Sequence, residues 1–551
     1  MHPPDSIRTP LLSSDPSRTP WRCCAAQVNL SGNRLCGVWL ENGKQMGTYS
    51  VEGIRALADA LEANGSLTEV DVGGNSLKDA GIEVLTTALT MSATCKLQSL
   101  KIDENQITST GAKAVAAYVA ISASLTKLSL ASNKLGEEGA KAICEALKGH
   151  KTLRELDVSG HAELGSNIGG PAGVKHVADM LVADGSLRFV NVLSNQLDAE
   201  SATRLLQAKA QTPGLRSLCG LTRVETEIDF SSRGFRRADA MLLSVELPTM
   251  SSLTSLSLAG NDLGGGIEDL STGLRESSSL TMLDLRGKGY GGGRIGPSGA
   301  TALASAMAAM ASLSVSDLRF NNLDTESATM LAALAKKKQV SLCGIKPGQT
   351  EAKLQGSYPY HMTVPDAILL TADLAVRSDL TSIDLSRNDL DAEAAEAISP
   401  AVAVSASLTA LDLERNSIGP EGARALGEAL KVNCSLTKLS LAQNNLEEDG
   451  TRSICEALKG NTTLKELDLR GGTFTIGSNI GGPVGAAHVA DMLCANGHLA
   501  RVDVSCNCLD RGGIEVRLLR YAVKGREGFV LIDDEKDSDS SSAGSSRKSL
   551  S

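Results

Sequence analysis

An eleven-residue apolar frame that returns at a fixed interval constrains this chain more than any other feature. LTKLSLASNKL, starting at Leu125, puts apolar residues at Leu125, Leu128, Leu130 and Leu135, with Asn133 between the last two. The frame returns 28 residues later at Leu153, and again as LTALDLERNSI from Leu408 and LTKLSLAQNNL from Leu436. With the position of Asn133 as anchor, the series runs Asn33, Asn75, Asn105, Asn133, His161, Asn195, Arg233, Asn261, Lys288, Asn321, Ser357, Asn388, Asn416, Asn444, Gly472 and Asn507.

One unit shows what each frame must become. Leu128 and Leu130 alternate with Lys127, Ser129 and Ala131, the period of a short strand with one buried side. Asn133 follows, and its amide can donate to and accept from backbone groups left open where the chain turns inward. In EEGAKAICEALKG, residues Ala140, Ile143, Cys144 and Leu147 fall on one helical stripe, and Gly149 stands where the helix should stop. A single unit cannot bury its apolar face, whereas stacked units share one core. The expected fold is therefore an α/β horseshoe solenoid of about 16 repeats, with a parallel sheet on the concave side and helices on the convex side.

The LxxLxLxxNxL frame and the helical signatures GIEVLTTAL, GAKAICEAL and GARALGEAL resemble leucine-rich repeat proteins of the ribonuclease-inhibitor-like class. Their repeats are also similar to those of intracellular innate-immune receptors and Ran GTPase-activating proteins. The resemblance covers about residues 25 to 515 and implies a binding role, although the fold serves many functions.

A longer duplication lies above the short one. KLSLASNKLGEEGAKAICEALKG from Lys127 returns as KLSLAQNNLEEDGTRSICEALKG from Lys438, and GSNIGGPAGVKHVADML from Gly165 returns as GSNIGGPVGAAHVADML from Gly477. Two atypical stretches also match each other, LRSLCGLTRVETEIDF from Leu215 and QVSLCGIKPGQTEAKL from Gln339. They read as seams between blocks at 25–216, 217–340 and 341–532, stacked without a linker as one continuous sheet; the third block ends in a cap, IEVRLLRYAVKGREGFVLI. Residues 1–24, rich in Pro, Ser and Thr, and the acidic, Ser-rich tail 533–551 are expected to be disordered. Tail serines Ser538, Ser540, Ser541 and Ser542 sit in a context that acidophilic kinases accept.

The residue between the two strand leucines should face solvent on the concave side. Down the stack it is aspartate at Asp71, Asp157, Asp229, Asp284, Asp317, Asp384, Asp412, Asp468 and Asp503, against two lysines, Lys101 and Lys353, and the uncharged Asn29, Ser129, Asn191, Ser257 and Ser440. With strands ~4.8 Å apart, such a column should create a negative field that attracts a basic partner. Three glycine-rich strand-to-helix loops lack the anchor Asn and should emerge from one rim. They offer Gly165 and Asn167, Gly289 and Arg294, and Gly477 and Asn479 as partner contacts.

Other chemistry is sparse. The formal charge of −10 argues against a general nucleic-acid binder, and no apolar stretch is long enough for a signal peptide or membrane span, so a cytoplasmic protein is expected. Twelve cysteines never form CxxC and read as small buried hydrophobes. Gly287, Gly289 and Gly292 satisfy GxGxxG, yet a repeat array is the wrong sheet for a dinucleotide, and no GxxxxGK[ST], GxSxG or HExxH occurs. No cofactor, metal or catalytic group is expected. The function expected is a non-catalytic scaffold that binds a protein partner through the concave face and rim loops. The alternatives are a GTPase-activating protein of the Ran-specific type, or a structural subunit of a cytoskeletal or ciliary assembly.

Overall fold

Each frame folds into a three-residue strand followed by a helix. The computed structural model describes residues 26–533 apart from 42–43, 93, 289–294, 358–359, 473–476 and 511–512. The segment 1–24, the tail serines, Gly289 and Arg294 therefore lie outside the described residues. The unit read above forms strand Lys127–Ser129 and helix Gly136–Leu147, and the helix buries Ala140, Ile143, Cys144 and Leu147 as its spacing requires. Gly149 adopts φ +81° just past the helix end, a conformation that costs glycine little.

Neighbouring strands pair in parallel and in strict register, so that Leu100, Leu128 and Leu156 stack at the core face. One hydrophobic core runs the length of the stack, from Cys36 to Leu519. The strands line the concave side and the helices the convex side. No helix among the described residues is long and apolar enough to cross a membrane.

The expectation of one continuous sheet is corrected. Strands Gln27–Asn29 to Phe189–Asn191 form a six-stranded sheet, Glu227–Asp229 to Val315–Asp317 a four-stranded sheet, and Glu351–Lys353 to Val530–Ile532 a seven-stranded sheet. At each break an SLCG segment pairs backward only: Ser217 bridges Phe189, and Ser341 bridges Val315. The next strand then starts afresh.

Buried acids on the following helix join the layers instead. In helix Arg237–Glu246, Asp239 accepts the Ser194 N–H at 2.8 Å. Seven residues on, Glu246 accepts the Ser217 hydroxyl and the Leu218 N–H, both at 2.6 Å, and pairs with Lys209. Helix Val364–Val376 repeats the device: Asp366 accepts from Phe320 N at 3.0 Å, and Asp373 from the Ser341 hydroxyl, Leu342 N and Cys343 N at 2.7, 2.6 and 3.0 Å. An unpaired buried N–H is costly, so these carboxylates do what the next strand and the next anchor Asn do elsewhere.

Two further elements escape the repeat frame. The first unit carries an antiparallel hairpin, Val38–Glu41 with Lys44–Gly47, inserted before its helix. At the other end, helix Ile514–Ala522 buries Val516 and Leu519, and strand Val530–Ile532 adds to the last sheet beside Arg501–Asp503.

Candidate binding surface

The aspartate column is built by the turn that ends each strand. In all nine cases a carboxylate oxygen accepts the backbone N–H two residues on. The distance is 3.0 Å for Asp71, 2.9 Å for Asp384 and Asp412, and 3.0 Å for Asp468. Asp157, Asp229, Asp284, Asp317 and Asp503 repeat the bond. Such a local side-chain to backbone bond steers the chain out of the strand, so the recurrence of Asp has a structural cause independent of any partner.

The field of the column is not uniform, because cations sit on part of it. Arg286 pairs with Asp284 at 2.8 Å and reaches Asp317 at 3.4 Å, while Arg319 pairs with Asp317 at 2.7 Å. Arg470 ties together Asp468, Glu414 and Asp503 at 2.7, 3.2 and 3.9 Å. Lys101 holds Glu69 and Asp71 at 3.3 and 3.8 Å. Asp157, Asp229, Asp384 and Asp412 form no ion pair among the described residues. Of these, Asp384 and Asp412 are register partners on adjacent strands. Burial raises the pKa of Asp412, and the negative charge of Asp384 adds to the shift. The expectation that every member faces solvent fails at Asp317, which is 6% exposed beneath Arg319 and the second SLCG segment.

The rim loops need a larger correction. Asn167 and Asn479 are fully buried and are not surface contacts. Each enters the asparagine ladder in place of the anchor missing from its own unit. Asn167 donates to Leu130 O at 2.8 Å and its backbone N–H bonds the Asn195 side chain at 2.8 Å. Asn479 accepts the Asn444 N–H at 2.8 Å, donates to Leu441 O at 3.0 Å, and bonds the Asn507 side chain through its own N–H. In the first of these loops Ala162, Glu163 and Leu164 are exposed before Asn167 takes the position the stack demands, and Asn479 takes the same position in its own unit. Gly165 is half-buried and Gly477 exposed, so those two stay on the rim.

The glycine preceding each vacant anchor has a steric cause. A Cβ on Gly160 or Gly287 would lie 2.0 Å from the carbonyl oxygen of Ser194 or Phe320 in the next turn. Gly287, first in the GxGxxG run, is thus required by stacking.

Sequence reasoning missed the arginines that straddle the column and the buried seam acids. Arg286, Arg319 and Arg470 each stand two residues after a column aspartate, so a second concave column would have exposed them. The hairpin was signalled by Asn42–Gly43 between VWLE and KQMG, a strong two-residue turn pair. Cys36, Cys144, Cys219, Cys343 and Cys455 are buried free thiols as expected, whereas Cys434, Cys494 and Cys508 are exposed, against the expectation of burial. The described residues contain no group of three or more metal-binding side chains.

Comparison with known proteins agrees with this architecture. A family model described as Leucine Rich repeat matches residues 63–85, 94–116, 122–144, 249–267, 378–399, 404–427 and 432–455. The chain is 32% identical over 163 residues to the ribonuclease inhibitor of Mus musculus, covering 29% of this chain and 34% of that protein. It is 35% identical over 166 residues to the ribonuclease inhibitor of Sus scrofa, covering 30% and 35% respectively. It is 34% identical over 163 residues to NACHT, LRR and PYD domains-containing protein 13 of Homo sapiens, covering 29% of this chain and 15% of that protein. The matches thus span 15% to 35% of these relatives' length. The recurring frame, the parallel strand–helix stack and these similarities together show an array of leucine-rich repeats that resembles those of ribonuclease inhibitors and of the NACHT, LRR and PYD proteins.

Proposed function

We propose that the chain is a non-catalytic scaffold that binds a basic protein partner on its concave strand face, centred on Asp384 and Asp412. The observation that carries this reading is the adjacency of these two aspartates: they occupy paired strands, and neither has an ion-pair partner among the described residues. Asp157 and Asp229 also lack ion pairs but stand beside Asn191 and Ser257 rather than beside a second carboxylate. Arginine or lysine answers the rest of the column, so this stretch is where an incoming cation gains most. A long curved surface suits a protein partner, since modest contacts add over many units. The relatives named ribonuclease inhibitor act, as their name states, on another protein. The exposed rim around Gly165 and Gly477 supplies flanking contacts in the same reading.

The test is hydrogen exchange on the full chain with a captured partner, alongside Asp384→Asn/Asp412→Asn. Asparagine retains an acceptor for the turn N–H, so the fold should be unchanged. Protection of the strands Ser382–Asp384 and Ala410–Asp412 on binding, lost in the double variant, supports the surface. Protection confined to the convex helices refutes it.

A further inference from the structure

The second seam reverses the sign of the concave face. Because strand Glu351–Lys353 does not pair with the sheet before it, a cavity of about 280 Å³ opens there, lined among others by Asp284, Arg286, Asp317, Arg319, Lys346 and Lys353. A neighbouring cavity of about 380 Å³ shares Arg286, Arg319 and Lys353 and adds Ser231, Ser357 and Tyr360. Asp284 and Asp317 are each engaged by arginine. Lys346 and Lys353 are exposed and form no ion pair among the described residues, although Lys353 stands in register with Asp384. The lining therefore carries two cations more than anions inside a chain whose formal charge is −10.

The first seam is an internal control. It shares the SLCG turn and the buried acids, yet Thr222 stands in place of Lys346 and Asp229 in place of Lys353. Ser159 and Leu193 likewise occupy the positions of Arg286 and Arg319. The first seam folds without any of the four cations. There Asn191 stands in place of Asp317, so Arg286 and Arg319 at the second seam answer Asp284 and the buried Asp317, whereas Lys346 and Lys353 meet no need of the joint itself.

We propose that this cavity binds a phosphomonoester group. Such a group carries roughly −1.5 to −2 charges at neutral pH, matching the two lysines in excess. Arg286, held in place by Asp284 and Asp317 but half exposed, presents the rest of its guanidinium to an oxyanion. The hydroxyls of Ser231, Ser357 and Tyr360 border the adjoining cavity as further donors. The group arrives either on a phosphorylated protein or on a free small molecule, and it makes no use of Asp384 and Asp412, so the site stands independently of the basic-partner surface.

The experiment is calorimetric titration of the full chain, in phosphate-free buffer at low salt, with inorganic phosphate, a phosphoserine peptide and the same peptide bearing glutamate. Saturable binding of inorganic phosphate, weakened about tenfold by Lys346→Gln/Lys353→Gln but not by Lys134→Gln, supports the site. A phosphoserine peptide that binds more tightly than inorganic phosphate identifies a protein source, and one that does not identifies a small molecule. Absence of saturable binding, binding indifferent to the double substitution, or equal affinity for the glutamate peptide overturns the proposal. Both lysines are exposed, so thermal unfolding of the double variant should match the parent.

Discussion

Replacing Asn133 with alanine tests the ladder that holds the stack together. The side chain is 1% exposed. Its oxygen accepts the N–H groups of Asn105 and Ile107 at 2.9 and 3.1 Å. Its nitrogen donates to the carbonyls of Leu130, Ile102 and Ala131 at 2.9, 3.1 and 3.2 Å. Alanine leaves two donors orphaned in the core, each costing ~1–3 kcal/mol, while the Leu130 and Ala131 carbonyls keep the Asn167 side chain and the Glu104 N–H as partners. The expected destabilisation is therefore about 2–5 kcal/mol from denaturant unfolding with the slope checked against the parent. Native-state hydrogen exchange gives the local signature, since the amides of Asn105 and Ile107 should lose protection selectively. Asn33 is the internal control: it is exposed and makes one bond, to Ser31 O at 3.2 Å, so Asn33→Ala should change stability by less than ~0.5 kcal/mol. If Asn133→Ala is as mild as Asn33→Ala, or if those amides stay protected, the ladder is not what fixes the turns.

Three further outcomes are expected. Asn479→Ala should destabilise the third block about as much as Asn133→Ala, ~2–5 kcal/mol, whereas alanine at a true surface contact would leave the unfolding midpoint unchanged. Burial pushes the carboxyls of Asp103, Asp239 and Asp373 up to about 6, above the unfolded value of ~3.9. The folded state then binds more protons than the unfolded state between those pH values. Their contribution to stability accordingly grows as pH falls from 7 toward 5 and fades as pH rises through about 6. The unfolding midpoint followed over this range should show that gain, and Asp373→Asn should flatten it; an identical profile in the variant refutes the assignment. Finally, association of a basic partner should slow with added salt, over a screening length of ~8 Å at physiological ionic strength, and slow likewise in Asp384→Asn/Asp412→Asn. Association insensitive to both would leave the aspartate column with its turn-forming role alone.

The seams show why polar groups carry so much of this fold. A repeat array needs each turn to be answered by its neighbour, and at residues 217–220 and 341–344 the neighbour is missing. Asp239 with Glu246, and Asp366 with Asp373, answer from a helix instead. Each pair lies seven residues apart, so both carboxylates project from one face two turns along the helix. Fully satisfied buried acids of this kind specify one register, and leaving one bond unmade would cost more than a neutral gap.

The 28-residue frame alone determined the alternation of strand and helix, the buried stripe Ala140–Ile143–Cys144–Leu147, the asparagine ladder and the two places where stacking goes wrong. These follow from local periodicity, because a strand or helix with one apolar side has only one way to hide it. The tertiary structure decided what the frame could not encode: that Asn167 and Asn479 replace absent anchors, that Arg286, Arg319 and Arg470 neutralise part of the aspartate column, and that Asp317 is covered. The asparagine replacements depend on groups brought together from adjacent turns, as in the Asn167–Asn195 bond 28 residues apart, and Asp317 is covered in part by the SLCG segment of the next turn. The arginines pair with the aspartate two residues before them, and Arg286 and Arg470 also reach across to Asp317 and Asp503 on the next strand. A loop's length shows that it bulges, but where its last residues return depends on which backbone groups in the next layer are still unpaired, and only the stacked chain presents them.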